Sequence, residues 1–547
     1  MTIYNISGEN YNNIYDVDGN VLNIAFDIDG NIQYSNEKDD GIKRNLKNVK
    51  NYPDWYGYRV GEEYVETFVA KNGYTLEDAN VSVVMNGEDI TDSVYNMGAV
   101  VIDNVSDDLS ISIEAKKINY VIPTANDFTL ELYSGQQAIK AYNGTETCVE
   151  IPSNIIVDGK SYKTCLYNTT IPSTVEHLKL SCAIPAYGNL KSMCSKLSVQ
   201  NLKTFWNNTS VVLDFGTGTN AERIICPNQT SFSKIYTPNA NNRITTLRQL
   251  EYPTSVNSGA TLFYQDSAVV DAGTIPAWWE SLHFAFNGCT SLRRIAIDAK
   301  NITNHGNWVV NVPVDCKVRL HPDSETFKYM RSQAVKGSGS GYAQPILRLY
   351  PYDETEKINT ILCIGDSLTR GVGCNDASIE AYPVKLLEKL SDNTIAYNEG
   401  IGSTTVEWHR DKVLNEANAP YLNDSLLILW TGTNGNGSGD NSVETLRAMI
   451  EEMIGALGDN NKFLLVPAVA AALGIGETEI HKAHKQWCRE KYGEEHVFDV
   501  YELFTSLGLN RDEYLVDSLH YSAEGYAIVA NGMFEKLMEN GWVTPSE

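Results

Sequence analysis

The sequence predicts a multidomain chain. A β-rich N-terminal region and a small β-sandwich precede a repeat solenoid, and the chain ends in a three-layer α/β/α sandwich with a five-stranded parallel sheet. Three observations predict this. At 547 residues the chain is too long for one hydrophobic core. Apolar positions recur through its middle at steps of 22 or 23 residues, and beyond Lys357 short apolar runs alternate with helical patterns. The boundaries that follow are 1–58, 59–118, 119–350 and 351–547.

Charge narrows the partners. With 69 acidic against 43 basic residues the net charge is −26, which repels phosphate backbones and anionic lipid. Nucleic acid and membrane are therefore excluded as partners, and a neutral substrate fits better. No apolar run approaches the roughly 20 residues of a membrane span. Met1 to Asn20 is polar and acidic, unlike a secretory signal, so export would need another route. The 10 cysteines are scattered, with no CxxC pair and no His/Cys cluster, so the sequence indicates no metal and no cofactor.

Residues 1–58 contain YDVDGNVLN and then FDIDGNIQ, an echo of Asp18 at Asp29. Asp-Gly-Asn between short β-forming runs reads as a hairpin turn. Asp16, Asp18, Asp27 and Asp29 could ligate calcium, but the bidentate Glu that completes a calcium loop is absent, which favours the turn. In 59–118, Leu109, Ile111, Ile113 and Ala115 alternate with Ser110, Ser112 and Glu114, as in a strand buried on one face. Asn72-Gly73 and Asn86-Gly87 supply turns.

Between 119 and 350, apolar positions at Leu202, Ile224, Leu247, Val269 and Leu292 are separated by 22, 23, 22 and 23 residues, with less regular turns at Leu178 and Leu190. That period suits a leucine-rich-repeat solenoid, in which each turn adds one short strand to a stacked core. Solenoids offer long concave surfaces, and Trp206, Trp278, Trp279 and Trp308 could stack on sugars there or lie in the core. Gly337 to Gly341 (GSGSG) reads as a flexible linker. A piece starting near Pro351 is then expected to fold alone.

In 351–547 strands are expected near 361, 394, 426, 463 and 497, in the order 2-1-3-4-5. Helices are expected near 381–390, 406–416, 442–456, 478–491 and 523–539. The run ILCIGDSLTRGVG (Ile361–Gly373) is a buried strand ending in a tight turn that exposes Ser367, at the sheet edge where α/β folds do chemistry. After the second strand, NEGIGSTT offers backbone N–H groups at Gly400 or Gly402; after the third, Asn434 reaches the same edge. Asp517 and His520 stand three apart before the last helix. A serine nucleophile needs an imidazole base, the base needs a carboxylate to fix its tautomer, and the oxyanion needs preorganised donors. His409 lacks a DxxH context and reads as packing or pocket lining. His481 and His484, without a third ligand, read as a solvated helix face.

The ordered Ser, Gly, Asn and DxxH blocks resemble the SGNH, or GDSL, hydrolase family over roughly Lys357–Val543, about a third of the chain. The resemblance implies that Ser367 is the nucleophile, with His520 and Asp517 completing the triad. It also implies that the N–H groups of Ser367 and Gly402 and the Asn434 side chain form the oxyanion hole. Gly402 is preferred to Gly400 because Ser403 and Thr404 follow it. The second block is one residue tighter than usual, and Gly435 stands where the third block usually has Asp. Elsewhere KNGYTLEDANVSVVMNGEDIT resembles an Ig-like repeat. FNGCTSLRRIAI, EIPSN and LHPDSETFKYM resemble BspA-like leucine-rich repeats, and the DxDGN runs resemble tail proteins of bacterial viruses. Together they imply a virion tail or an extracellular surface.

The expected function is therefore a serine esterase for short acyl groups, acetyl first, on carbohydrate, with the N-terminal domains for attachment or recognition. Its partner would be an acylated carbohydrate or another small ester, with a host-surface glycan and homo-oligomerisation left open. The alternatives are a receptor-binding or adhesion protein with an inactive hydrolase scaffold, and a lipolytic esterase, for which no lid-like amphipathic helix is evident.

Overall fold

A computed structural model describes residues 14–546 apart from 16–20, 27–31, 36–41, 53–63, 97, 107, 134, 183–196, 199–201, 208–222, 226–248, 252–262, 264, 266, 268, 314–315, 338–346, 353–355, 415–424, 438–439, 458–461 and 471–476. The chain divides into two units, Met1–Asn119 and Tyr120–Glu547.

In the first unit the alternation of Leu109–Lys117 does what its pattern requires: Leu109, Ile111, Ile113 and Ala115 are buried and the residues between them are not. That strand pairs antiparallel with Tyr74–Met85 and parallel with Lys43–Lys47. A second sheet of Val49–Tyr52, Tyr64–Ala70, Ala99–Ile102 and Tyr95–Asn96 shares its core, through Phe68, Val83, Val100 and Ile111. Asn86 and Gly87, at φ 54° and 79°, form the left-handed pair that a two-residue hairpin needs. The boundary expected at residue 58 is absent, because Val49–Tyr52 pairs with Tyr64–Ala70 across it. A strand this short has its partner set by pairing rather than by its own pattern. The DGN turns and Asp16, Asp18, Asp27 and Asp29 lie outside the described residues; the strands flanking them, Ile14–Tyr15, Val21–Phe26 and Ile32–Ser35, pair antiparallel.

The second unit opens on an antiparallel pair, Phe128–Tyr133 with Gln136–Tyr142, and contains a ladder of short parallel strands. One run stacks β1 (Cys148–Ile151), β2 (His177–Leu180), β3 (Thr204–Asn207), β4 (Arg223–Ile225) and β5 (Gln249–Glu251). A second stacks β6 (Asp271–Ile275), β7 (Arg294–Ile297), β8 (Lys317–Leu320) and β9 (Arg348–Pro351). Asp271 pairs with Arg294 and Arg294 with Lys317, a step of 23. The turns opposite these strands stack too: Leu282, Phe284, Phe286 and Gly288 donate their N–H groups to the carbonyls of Asn304, Gly306, Trp308 and Val310, a step of 22. Even the left-handed positions repeat, at Gln265 (φ 59°), Gly288 (83°) and Asn311 (61°). A Cβ on Gly288 would sit 2.9 Å from Gln265 Cγ, so the turn stacked against it selects glycine there. Leu178, Leu202, Val269 and Leu292 are buried, as the spacing requires. Leu190 and Leu247 lie outside the described residues, as does the GSGSG run after Gly337. Of the four tryptophans, Trp279 and Trp308 are core, Trp206 is half-buried and Trp278 is exposed.

Helix α1 (Glu325–Ala334), capped by Ser324 Oγ accepting the Phe327 N–H at 3.1 Å, lies between β8 and β9. The α/β region follows, with β10 (Asn359–Gly365), β11 (Thr394–Gly400), β12 (Ser425–Thr431) and β13 (Lys462–Pro467) all parallel. Among the described residues this sheet has four strands, ordered β11-β10-β12-β13. The fifth strand expected near 497 shrinks to one parallel bridge between Val497 and Leu465. The Asp499 carboxylate then accepts the Tyr501 and Glu502 N–H groups and turns the chain into the helix Val500–Ser506 before a ladder can extend.

The helices of this region include α2 (Ser367–Arg370), α3 (Tyr382–Leu387), α4 (Val406–Leu414), α5 (Val443–Gly455), α6 (Glu479–Tyr492) and α7 (Ala523–Glu539). The strands are buried on both faces. Ile361, Cys363 and Ile428 pack with residues of α3 and α7, while Leu362, Ile364 and Leu429 pack with Met449 and Ile450 of α5. The second of these cores runs without a break into Ile297, Leu320, Phe327 and Leu347 of the ladder. The ladder and the α/β sheet thus share one packed core. Among the described residues no helix is long and apolar enough to cross a membrane.

Candidate active site

Strand β10 ends where Gly365 must pass close to Trp430 O; a Cβ there would lie 2.8 Å from it. Asp366 then caps α2, its Oδ1 accepting the Leu368 N–H at 2.9 Å, and so puts Ser367 on the first turn at the carboxyl end of the strand. Burial pushes the Asp366 carboxyl up to about 6.

The loop before α7 is pinched by an antiparallel bridge between Leu515 and Tyr521. Within it Asp517 Oδ1 accepts the N–H groups of Leu519 and His520, each at 2.7 Å, and Oδ2 lies 2.8 Å from His520 Nδ1. The His520 contact, joined by these backbone donors, lowers the Asp517 carboxyl to about 2. An ionised carboxylate only accepts, so Nδ1 carries the proton. His520 Nε2 is then free to accept from Ser367 Oγ, 2.9 Å away.

Two glycines at the end of β11, its last residue Gly400 and then Gly402, differ in kind. Gly400 is buried and its N–H donates to Asn398 Oδ1 at 3.1 Å; a Cβ there would lie 2.2 Å from Arg370 N. Gly402 is half-buried and its N–H, like that of Ser367, has no hydrogen-bond partner among the described residues. Asn434 is exposed at the end of β12, with one Nδ2 hydrogen donated to Thr404 O at 3.1 Å and the other available. Its loop is tied to the Gly402 loop, because the Val406 and Glu407 N–H groups donate to Gly435 O and Asn436 O. Gly435 has φ 83°, and the Asn436 amide bridges Asp440 O and Ser442 O, so the block lacking its usual Asp is held by other groups.

The three other histidines weighed from the sequence are buried. His409 is fully buried, 2.8 Å from Thr431 Oγ1 through Nδ1 and 3.0 Å from Thr404 Oγ1 through Nε2. The Thr404 hydroxyl donates to Ile401 O at 2.7 Å, so it accepts from Nε2–H. Burial lowers the His409 imidazole to about 4, leaving it a neutral strut between the Gly402 loop and β12. His481 and His484 are corrected: both are buried, not solvated. His481 Nε2 lies 3.0 Å from Pro467 O, and burial lowers His484 to about 3. The sequence reading missed Asp366, Asn398 and Thr404 as supports. Their only signal is position beside the expected site residues.

Residues 363–528 match the model of the GDSL-like Lipase/Acylhydrolase family. No curated protein matches the chain. Among solved structures, the lipase/acylhydrolase from Enterococcus faecalis is similar at 22% identity, covering 35% of this chain and 100% of that one, with a TM-score of 0.28. A carbohydrate acetylesterase family member from Sinorhizobium meliloti is similar at 19% identity, over 34% and 100%, with a TM-score of 0.26. An acetyl xylan esterase variant from Geobacillus stearothermophilus is similar at 17% identity, over 33% and 97%, with a TM-score of 0.27. Residues 363–528 of this chain accordingly form an ester-hydrolase domain of the GDSL-like lipase/acylhydrolase type.

Proposed function

We propose that this protein removes short acyl groups, acetyl first, from an esterified carbohydrate through a serine acyl-enzyme. The observation that carries the reading is the line of contacts from Asp517 to His520 to Ser367, at 2.8 and 2.9 Å. Ser367 Oγ attacks the ester carbonyl while His520 Nε2 takes its proton and passes it to the leaving alcohol. Asp517 holds the tautomer and stabilises the imidazolium. The N–H groups of Ser367 and Gly402 and the Asn434 amide receive the oxyanion. Water, activated by the same imidazole, then releases the acid.

The short-acyl part of the reading comes from the family resemblance, and the chain-length series below tests it. The ladder is proposed to be a leucine-rich-repeat array, which its 22–23-residue step supports. The first unit is proposed to be an Ig-like module. Exposed Trp278 is a candidate contact for a glycan, and a virion tail or extracellular surface is the proposed setting. Hydrolysis of p-nitrophenyl acetate, butyrate and octanoate by the full chain, followed by acetate release from acetylated glycans, tests the reading. Falling kcat/KM with chain length supports it. Rising efficiency indicates a lipolytic esterase, and no turnover indicates a binding protein on a hydrolase scaffold.

A further inference from the structure

We infer that the end of the ladder positions the oxyanion donor: helix α1 and the turn after it hold β11, and through Asn398 the loop that carries Gly402. The inference rests on the role proposed above for Gly402. β11 is the outermost strand of its sheet, and its last residue, Gly400, leads directly to Ile401 and Gly402. Helix α1 packs against it. From α1, Arg331 donates Nε to Thr394 O at 2.8 Å and Nη2 to Leu387 O and Leu390 O at 3.0 and 3.2 Å. One guanidinium therefore ties the start of β11 to the end of α3, with charged donors on three carbonyls. Further along the strand, the Tyr397 hydroxyl donates to Leu347 O, just before β9, at 2.9 Å.

Next to Tyr397 the link reaches the loop. Gly337, at φ +73°, lies so close to Asn398 that a Cβ there would sit 3.0 Å from Asn398 O and 3.3 Å from its Cγ. Asn398 is 2% exposed, and its Oδ1 accepts the Gly400 N–H at 3.1 Å. The next amide, Ile401 N–H, donates to Gly365 O at 3.1 Å. With both preceding amides committed, the direction of the Gly402 N–H is set by where β11 lies. β11 in turn is gripped at Thr394, Tyr397 and Asn398 by residues that precede the hydrolase region in the chain. Displacing a catalytic group by about 1 Å can cost on the order of 10²-fold in rate, so a partial loosening should cost about tenfold.

The test uses the full chain with Arg331→Met, which keeps an apolar stem but loses the guanidinium, and the milder Tyr397→Phe, which removes one hydroxyl. Each is titrated with a p-nitrophenyl alkylphosphonate, in which Ser367 Oγ bonds to phosphorus and p-nitrophenolate leaves. The burst amplitude counts competent sites and the burst rate reports oxyanion stabilisation at each. We expect wild-type amplitude, a rate per site lowered about tenfold in Arg331→Met and two- to fivefold in Tyr397→Phe, and a matching fall in kcat with KM unchanged. Amplitude falling while the rate per site holds would make these contacts merely stabilising and overturn the inference, as would no change in either. Hydrogen exchange at amides 400–404 gives a second reading that needs no turnover. Faster exchange in both variants is expected, and unchanged exchange would overturn the inference. If the wild-type chain is not phosphonylated at all, the esterase reading falls, and the exchange rates alone decide whether α1 holds the loop.

Discussion

The ladder and the hydrolase sheet are both parallel β-structure over a shared core, yet they bring the chain back to the next strand differently. From β7 to β8 the ladder returns in 23 residues through a turn whose carbonyls accept from the amides of the turn before it. In the hydrolase sheet, Asn359 of β10 pairs with Thr394 of β11, a step of 35 that makes room for helices. Stacked turns use up their backbone groups. A helical crossover instead leaves loops at the carboxyl ends of strands, and the N–H groups of Ser367 and Gly402, unpaired among the described residues, are found there. The difference teaches where chemistry can lodge: in the region whose repeats do not match one another.

Breaking the hydrolase side should have the largest effects. Ser367→Ala and His520→Ala should each lower kcat on p-nitrophenyl acetate by about 10⁴–10⁶, with little further loss in the double variant. A folded Ser367→Ala within tenfold of wild type would remove the acyl-enzyme proposal. Asp517→Asn should cost somewhat less, about 10⁴, by presenting the wrong imidazole tautomer. Asn434→Ala removes one donor and should cost about 10²–10³ in kcat with KM unchanged.

The ladder should respond in another currency. Leu292 is fully buried beside β7, so Leu292→Ala should cost about 2–5 kcal/mol of unfolding free energy. The rate per folded molecule should barely move, because Leu292 lies far along the chain from the contacts at β11. A large loss of kcat with little loss of stability would erase the distinction between the two regions. The smallest effect concerns pH. Asp366, raised to about 6 by burial, favours the folded state below its unfolded value of about 3.9 and loses that contribution as pH rises through about 6. Asp366→Asn keeps the cap acceptor and should flatten Tm between pH 4 and 6 relative to wild type.

The site was more legible than its supports. Ser367, Gly402 and Asn434 each sit in a short local block after a strand and Asp517 and His520 in one before the last helix; the structure places the first three at the carboxyl ends of neighbouring parallel strands and His520 against Ser367. The strand order was legible because β10 and β12 are apolar on both faces. The burial of His481 and His484 was not, since their helix looks polar by itself and is covered by β13 and Tyr501, which are distant in sequence. Nor was the fusion at residue 350, where GSGSG reads as a spacer. The contacts that join the two sides there, from Arg331 to Thr394 and from Tyr397 to Leu347, span 63 and 50 residues.

β11 is the outermost strand of its sheet among the described residues, and α1, whose Arg331 holds Thr394 O, packs against it and covers part of an edge with which another strand could pair. Cutting the chain at Pro351 would remove that cover along with Arg331 and would leave Ile395 and Tyr397 without their ladder neighbours. A freed edge of this kind is a template for strand addition from a second molecule. The fragment should therefore self-associate in sedimentation experiments at concentrations where the full chain does not, so the ladder would serve solubility as well as architecture.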